Sequence, residues 1–269
     1  MSSRNFPMSV HPAVGGLDTS SDPSTLGPEI LTVADNIEYL EGGQRKKRLG
    51  TVAYNTTVMV STAANVRAVA DFWRYGASLT PTQNFIAVTG NSIFRSTGGG
   101  GFTAITASSS FTGATNTTTN ILIAGDYAVI SDGINTPMSY DQTTLAILST
   151  GHPIFTAGAY HLRRLWMVGL STSPSQTRFT AAGNILDSTG GDTGNFLVDE
   201  GDGDQVMGVS QTFHKRLYFF KGPQFGSVHE LSGNTPSAFT RDRVAGGAPL
   251  LNHRTLITTA NDIYWASNA

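Results

Sequence analysis

The densest acidic run in this 269-residue chain is Asp199-Glu200-Gly201-Asp202-Gly203-Asp204. Alternating carboxylates on a glycine-rich loop can wrap a hard cation such as Ca²⁺. The spacing lacks the sixth-position glycine and twelfth-position glutamate of the helix–loop–helix calcium site, so a solvated turn leading into a strand at Val206 is the preferred reading. Arg45-Lys46-Lys47-Arg48 is the one basic run. It can touch DNA phosphates by charge alone, or pair with an acidic groove on a neighbouring subunit. With 17 basic and 19 acidic residues and a net charge of −2, the chain offers no general field for nucleic acid or anionic lipid, which favours a solvated or inter-subunit role. His161–Arg164 forms a second small basic group, expected at the rim of a strand.

Other constellations are weaker. Gly98–Gly101 has the glycine density of a phosphate cradle, but such a cradle needs a following lysine and a helix N-terminus. Here Phe102-Thr103-Ala104-Ile105 follows, a strand, so a hairpin loop is expected. The stretch Ile93–Gly100 resembles the Asp-box turn of sialidase-type propellers without its Asp or its closing Thr-Trp, a likeness that implies the hairpin shape and no glycosidase activity. No Gly-x-Ser-x-Gly elbow and no histidine pair at metal-ligand spacing occurs. The histidines (His11, His152, His161, His214, His229, His253) are scattered, as expected of surface or satisfied polar residues. Trp73, Trp166 and Trp265 lie in or beside strands, where core packing is the default ahead of sugar stacking. No catalytic, cofactor-binding or metal-ligating residue is assigned, and the chain is expected not to be an enzyme.

The elements that would carry these residues are strands. Charged residues make up 13% of the chain, about half the usual share. Gly, Ser and Thr fill the gap, as in extended β assemblies whose surface meets other protein. The absence of cysteine excludes disulfides, thiol chemistry and Cys-based zinc sites. No window approaches the apolar length of a membrane span, and Met1–Pro7 lacks the apolar core of a signal peptide, so assembly in a cytoplasm is expected.

Residues 1–50 are broken by Pro7, Pro12, Pro23, Pro28, Gly15-Gly16 and Gly42-Gly43, and read as an extended N-terminal arm with at most one short element at Ile30–Leu40. Its β-branched residues favour a strand over a helix there. From residue 51 to 269, short apolar strands alternate with turn signals such as Ala124-Gly125-Asp126, Asp132-Gly133 and Ser232-Gly233-Asn234, predicting an all-β fold. Strong strands begin near Phe85, Ile121, Leu165, Leu217 and Leu256, at intervals of 36, 44, 52 and 39 residues. Four-stranded propeller blades repeat at about 40–50 residues. The expected architecture is therefore a partial or complete β-propeller-like stack of antiparallel sheets, with blades near 52–110, 111–153, 154–204 and 205–250 and an incomplete unit at 251–269. A short final unit leaves an apolar flank for a partner to close.

Several stretches carry a resemblance. Leu162–Leu170, followed by Ser173-Pro174 and Arg178–Gly183, resembles the β-propeller proteins of phage tails and necks, including the nozzle and hub ring proteins of short-tailed phages. Ile130–Pro137 leading to Tyr140-Asp141, Gly201–Asp204 running into Val206–Val209, and Leu217–Lys221 leading to Val228–Gly233 agree with it in order and spacing over roughly residues 40–269. The resemblance implies a virion component assembled in the host cytoplasm, with no active site and no cofactor. It implies a ring-forming tail or neck subunit of six- or twelve-fold symmetry, contacts to adjacent tail, neck or portal proteins, transient DNA passage and no membrane. Two alternatives stay open: a carbohydrate-binding or carbohydrate-cleaving tail fibre protein, and a capsid decoration protein.

Overall fold

The computed structural model describes residues 37–39, 45–47, 66–75, 81–89, 92–97, 101–105, 119–149 and 151–267, with backbone alone at 37–39, 45–47 and 75. The chain divides into two compact units, Met1–Tyr54 and Asn55–Ala269. In the first, β1 (Ile37–Tyr39) pairs antiparallel with β2 (Arg45–Lys47). The element expected at Ile30–Leu40 is thus represented by a strand. The rest of the expected arm, the stretch Thr51–Ser61 whose weak alternation reads as a strand, and Gly98–Gly100 lie outside the described residues.

The second unit is all-β and propeller-like. A first sheet comprises β3 (Val66–Tyr75), β4 (Pro81–Thr89), β5 (Ser92–Ser96) and β6 (Thr103–Ala104). A second holds β7 (Asn120–Ala124), β8 (Tyr127–Ser131), β9 (Met138–Tyr140) and β10 (Leu145–Ile147). The third is built from β11 (Ala157–His161), β12 (Arg164–Val168), β13 (Gln176–Phe179) and β14 (Gly194–Leu197). The fourth is built from β15 (Gln205–Val209), β16 (Leu217–Gly222), β17 (Ser227–Ser232) and β18 (Thr240–Gly246), and a hairpin of β19 (Ile257–Thr258) with β20 (Ile263–Tyr264) follows. In every four-stranded sheet the strands lie in chain order and run antiparallel, the up-and-down meander of a propeller blade.

Each sheet packs face to face on the next. Phe72, Ile86 and Val88 of the first meet Ile130, Met138 and Tyr140 of the second. Leu122 and Val129 of the second meet Leu165 and Met167 of the third. Trp166 and Val168 of the third meet Val206, Leu217 and Phe219 of the fourth. Phe220 and Val228 of the fourth meet Leu250, Leu256, Ile263 and Trp265. Strand β12 shows the logic: alternate side chains serve opposite neighbours, so Arg164-Leu165-Trp166-Met167-Val168 is buried throughout and shows no polar alternation. The first strands β3, β7, β11 and β15 are successive neighbours along the inner side of the stack. Arg254, in the turn before β19, donates through Nη2 to the carbonyl oxygens of Arg67 and Thr119, each at 2.7 Å. The last unit thereby reaches back to the first and second sheets.

The sequence from Ala159 to Val168 also reads as one continuous strand, and this is corrected. Residues 159–168 form the hairpin β11–β12, with Leu162 and Arg163 in its turn at φ 51° and 59°. Positive φ at both central positions is the two-residue turn that matches strand twist, more often made by Asn-Gly. Neither residue type signals it, so no turn signature separates β11 from β12 in the sequence. His214 and Lys215 repeat the device at φ 48° and 65° between Phe213 and Arg216.

Trp166 is the centre of the largest core. Its ring lies 4.7 Å from Phe179, 5.3 Å from Phe239 and 6.0 Å from Phe219, and its Nε1 donates to the His161 carbonyl at 3.1 Å. Truncation to alanine empties this junction. Trp166→Ala is expected to lose about 3–5 kcal/mol, read from urea unfolding monitored by circular dichroism.

Candidate functional site

The acidic run bridges the third and fourth sheets, and its three aspartates turn to three different partners. The Lys221 ammonium, fully buried on β16, donates to the carbonyl oxygens of Val198 (2.7 Å) and Asp199 (2.6 Å) and to Asp202 Oδ1 (2.6 Å). A protein ammonium therefore occupies the position among the loop oxygens that a bound cation would take. Burial alone would raise the Asp202 carboxyl, but the Lys221 hydrogen bond and charge, with the Asp204 amide, hold it below the ordinary carboxyl range. Asp204 accepts from the backbone amides of Gln224, Phe225 and Gly226 at 2.8, 2.9 and 2.7 Å, fixing the β16–β17 turn. Asp199 faces His229 Nε2 at 3.3 Å and the Arg241 guanidinium at 3.5 Å. The run is an inter-sheet joint rather than the freely solvated turn preferred from sequence, because its partners lie on β16, β17 and β18.

The same joint holds a Ser–His–Asp grouping that spacing in the sequence does not announce. Ser227 Oγ lies 2.8 Å from His229 Nε2, the same nitrogen that faces Asp199. In a nucleophilic relay the serine and the acid engage opposite ring nitrogens. Here they share one, His229 Nδ1 has no partner among the described residues, and both Ser227 and His229 are buried. Burial, reinforced by the Arg241, Lys221 and Arg243 charges and only partly opposed by Asp199, pushes His229 below the ordinary imidazole value. The grouping is a structural tie between β17 and the acidic loop.

The remaining candidates separate. Side chains of Arg45–Lys47, along with Arg48, His11 and Gly98–Gly100, lie outside the described residues. The His161–Arg164 group is not a rim patch: His161 and Arg164 are both buried. His161 Nδ1 meets Thr212 Oγ1 at 2.9 Å. Arg164 donates to the Thr180 carbonyl at 2.8 Å, pairs with Asp192 at 2.7 Å, and lies over the Phe179 ring at 5.5 Å. His152 is satisfied by the Ile185 carbonyl at 2.8 Å, whereas His253 Nδ1 is buried without a partner among the described residues, against the expectation of surface or satisfied histidines. His214 is exposed in its turn.

The tryptophans divide too. Trp166 and Trp265 pack in the stack, the latter against Phe220 at 5.1 Å. Trp73 does not: it is 47% exposed. It shares the outward face of β3 with Asp71, opposite buried Phe72, and donates through Nε1 to Asp71 Oδ2 at 2.8 Å. Gln83 donates to both Asp71 oxygens at 3.0 and 3.1 Å. The motif around Asp132 and Asp141 is structural. Asp132 Oδ1 accepts from the amides of Ile134 and Asn135, and Asp141 Oδ1 from those of Thr143 and Thr144. Arg95 on β5 donates to Tyr140 Oη (2.9 Å) and the Gln142 carbonyl (2.7 Å), tying the first two sheets together.

A cavity of about 150 Å³ lies where the inner strands approach Arg254. Thr119, Asn120, Thr156, Gln205, His253 and Arg254 line it. Gly169 belongs to the same wall at φ +65°, and a Cβ there would sit 1.9 Å from Thr156 Oγ1, so only glycine leaves the cavity its shape. Burial, aided by the adjacent Arg254 charge, pushes His253 down to about 4.

Two outcomes follow from these ties. Lys221→Met leaves two carbonyls and a carboxylate without their donor, and is expected to cost about 3–5 kcal/mol in urea unfolding, against a smaller loss for Asp202→Asn. On acidification, His152, His161, His229 and His253 have folded-state values below the ordinary 6.5, so the unfolded chain binds protons first. Stability is expected to fall as pH drops from 6.5 towards 4, and to fall again below 3.8 as the lowered Asp141, Asp187, Asp192 and Asp202 are protonated. Urea midpoints across pH 7.5 to 3 measure this, and His253→Gln should flatten the upper step.

No known family profile matches the sequence, and no curated protein is similar to it. Among solved structures, the N-terminal domain of Nup159 is similar at 11% identity and a TM-score of 0.39, over 67% of this chain and 48% of that one, so the match spans about half of the Nup159 domain. YCF48 bound to D1 peptide is similar at 9% identity and a TM-score of 0.28, over 69% of this chain and 83% of that one.

Proposed function

We propose that the chain is a non-enzymatic structural subunit of a bacteriophage tail or neck ring, a propeller-like wall whose outer sheet faces are closed by neighbouring polypeptide. The observation that carries the reading is a pair of exposed apolar patches, one on β3 of the first sheet and one on the last hairpin. On β3, Val69 is 61% and Trp73 47% exposed, while Ala87 and Phe94 on the same face are buried; on the last hairpin, Ile257 is 58% and Tyr264 57% exposed. Large apolar side chains gathered in an exposed patch mark contact surfaces. The tail or neck setting rests on the sequence resemblance, with its order of weak motifs from residue 40 onward. The central cavity, at about 150 Å³, is far too small to pass a nucleic-acid duplex, so a conduit would be the bore of the subunit ring and not the axis of one propeller.

A second reading, a carbohydrate-binding fibre module, is favoured by one feature: exposed Trp73 held beside Asp71 and Gln83, an aromatic platform with polar groups at its edge. The two readings diverge under the same substitutions. Trp73→Glu and Ile257→Glu are both at exposed positions and leave the inter-sheet cores intact. Native mass spectrometry and negative-stain microscopy of the full chain are expected to show a closed six- or twelve-fold ring that either substitution dissociates. A protein that remains monomeric at every concentration, with or without its particle neighbours, overturns the ring. Glycan-array binding lost in Trp73→Ala, by a monomeric or trimeric protein, supports the second reading instead.

A further inference from the structure

We propose that the central cavity is a binding site for a small oxyanion, a carboxylate or a phosphate. The inference is independent of the ring: it concerns the inner end of the sheet stack. Charge points the same way as geometry. Among the described residues lining the cavity, Arg254 is the one permanently charged side chain and no carboxylate is present. Among the described residues, no carboxylate pairs with Arg254 elsewhere either. Its Nη2 is fixed by the carbonyls of Arg67 and Thr119, both at 2.7 Å, so the guanidinium is held in place before any ligand arrives. A guanidinium suits a planar or tetrahedral oxyanion because its donors form a rigid fork.

The rest of the lining supplies neutral donors. Asn120 and Gln205 bring amides, and Thr156 a hydroxyl. Thr119 is almost fully buried and, among the described residues, its Oγ1 has no hydrogen-bond partner; the Nδ1 atom of half-buried His253 is likewise buried and unpartnered among them. Buried polar groups are rarely left unpaired, and two of them on one cavity wall mark a place where a polar guest is accommodated. His253, pushed down to about 4, is neutral near pH 7, so the pocket's positive charge comes from Arg254 alone. That charge disfavours a metal ion or an amine. Size narrows the class: a cavity of about 150 Å³ equals about five waters at roughly 30 Å³ each, room for phosphate or a short dicarboxylate and not for a nucleotide.

The test is a thermal-melting titration of the full chain with sodium phosphate, sodium malonate and sodium chloride at matched ionic strength, followed by calorimetry. A ligand that binds only the folded state raises Tm in a saturable manner. The expected result is a rise of a few degrees with phosphate, malonate or both, and none with chloride. A response to phosphate alone assigns the phosphate class, and a response to malonate alone assigns the carboxylate class. Gln205→Glu places a carboxylate in the lining at an exposed strand end; it should leave the unliganded Tm unchanged and weaken binding by about tenfold or more. Arg254→Gln should abolish binding, though its loss of two carbonyl contacts can also lower the unliganded Tm. No saturable shift with either oxyanion, or a shift that persists undiminished in Gln205→Glu, overturns the proposal.

Discussion

The dominant constraint in this molecule is that each sheet has two apolar faces and four strands. A sheet of that kind cannot stand alone in water, because the face turned to solvent loses the free energy that burial supplies, roughly 25 cal/mol per Å² of apolar surface. It must be sandwiched, and the sandwiching sheet then needs a partner of its own. Stacking is the solution, and the right-handed twist of each sheet turns the stack about an axis. Core formation therefore occurs at junctions between units. Phe72 meets Tyr140 edge-on at 6.3 Å across the first junction, and Trp166 meets Phe219 across the third.

Polar chemistry in this fold serves the junctions. Arg95 crosses from the first sheet to the second, Lys221 from the fourth to the segment leaving the third, and Arg254 from the last unit to the first two. Each is a long cationic side chain whose head lands on carbonyl or carboxylate oxygens at a place where the backbone has left its ladder. Apolar faces set which sheets stack; these cations set how far one slides over another. That division explains why a chain with so few charged residues buries Arg164 and Lys221.

Much of the fold was legible in the sequence. Glycine with aspartate or asparagine between short apolar runs located hairpins such as Ala124-Gly125-Asp126, and the loose spacing of strong strands pointed to four-stranded units. What escaped has physical causes. The Leu162-Arg163 turn uses residues that pay steric strain for positive φ and carry no turn signature. Strand β14 is four residues long, glycine-started and half exposed, and β9 is only three residues long, so neither shows a hydrophobic period. Trp73 read as core because residue type does not reveal which face of β3 has a neighbour. At the site, the acidic run was conspicuous while its partners were not: Lys221, His229 and Arg241 come from three strands that only folding brings together. Arg254 and Thr119 are 135 residues apart, and no local pattern links them.

The ammonium of Lys221 among the oxygens of the Val198–Asp202 loop has a wider meaning. Here the brace is covalently part of the polypeptide and forms as the fourth sheet docks. The joint between the third and fourth sheets is thus closed by a positive charge that the polypeptide itself supplies, and comes into being with the fold.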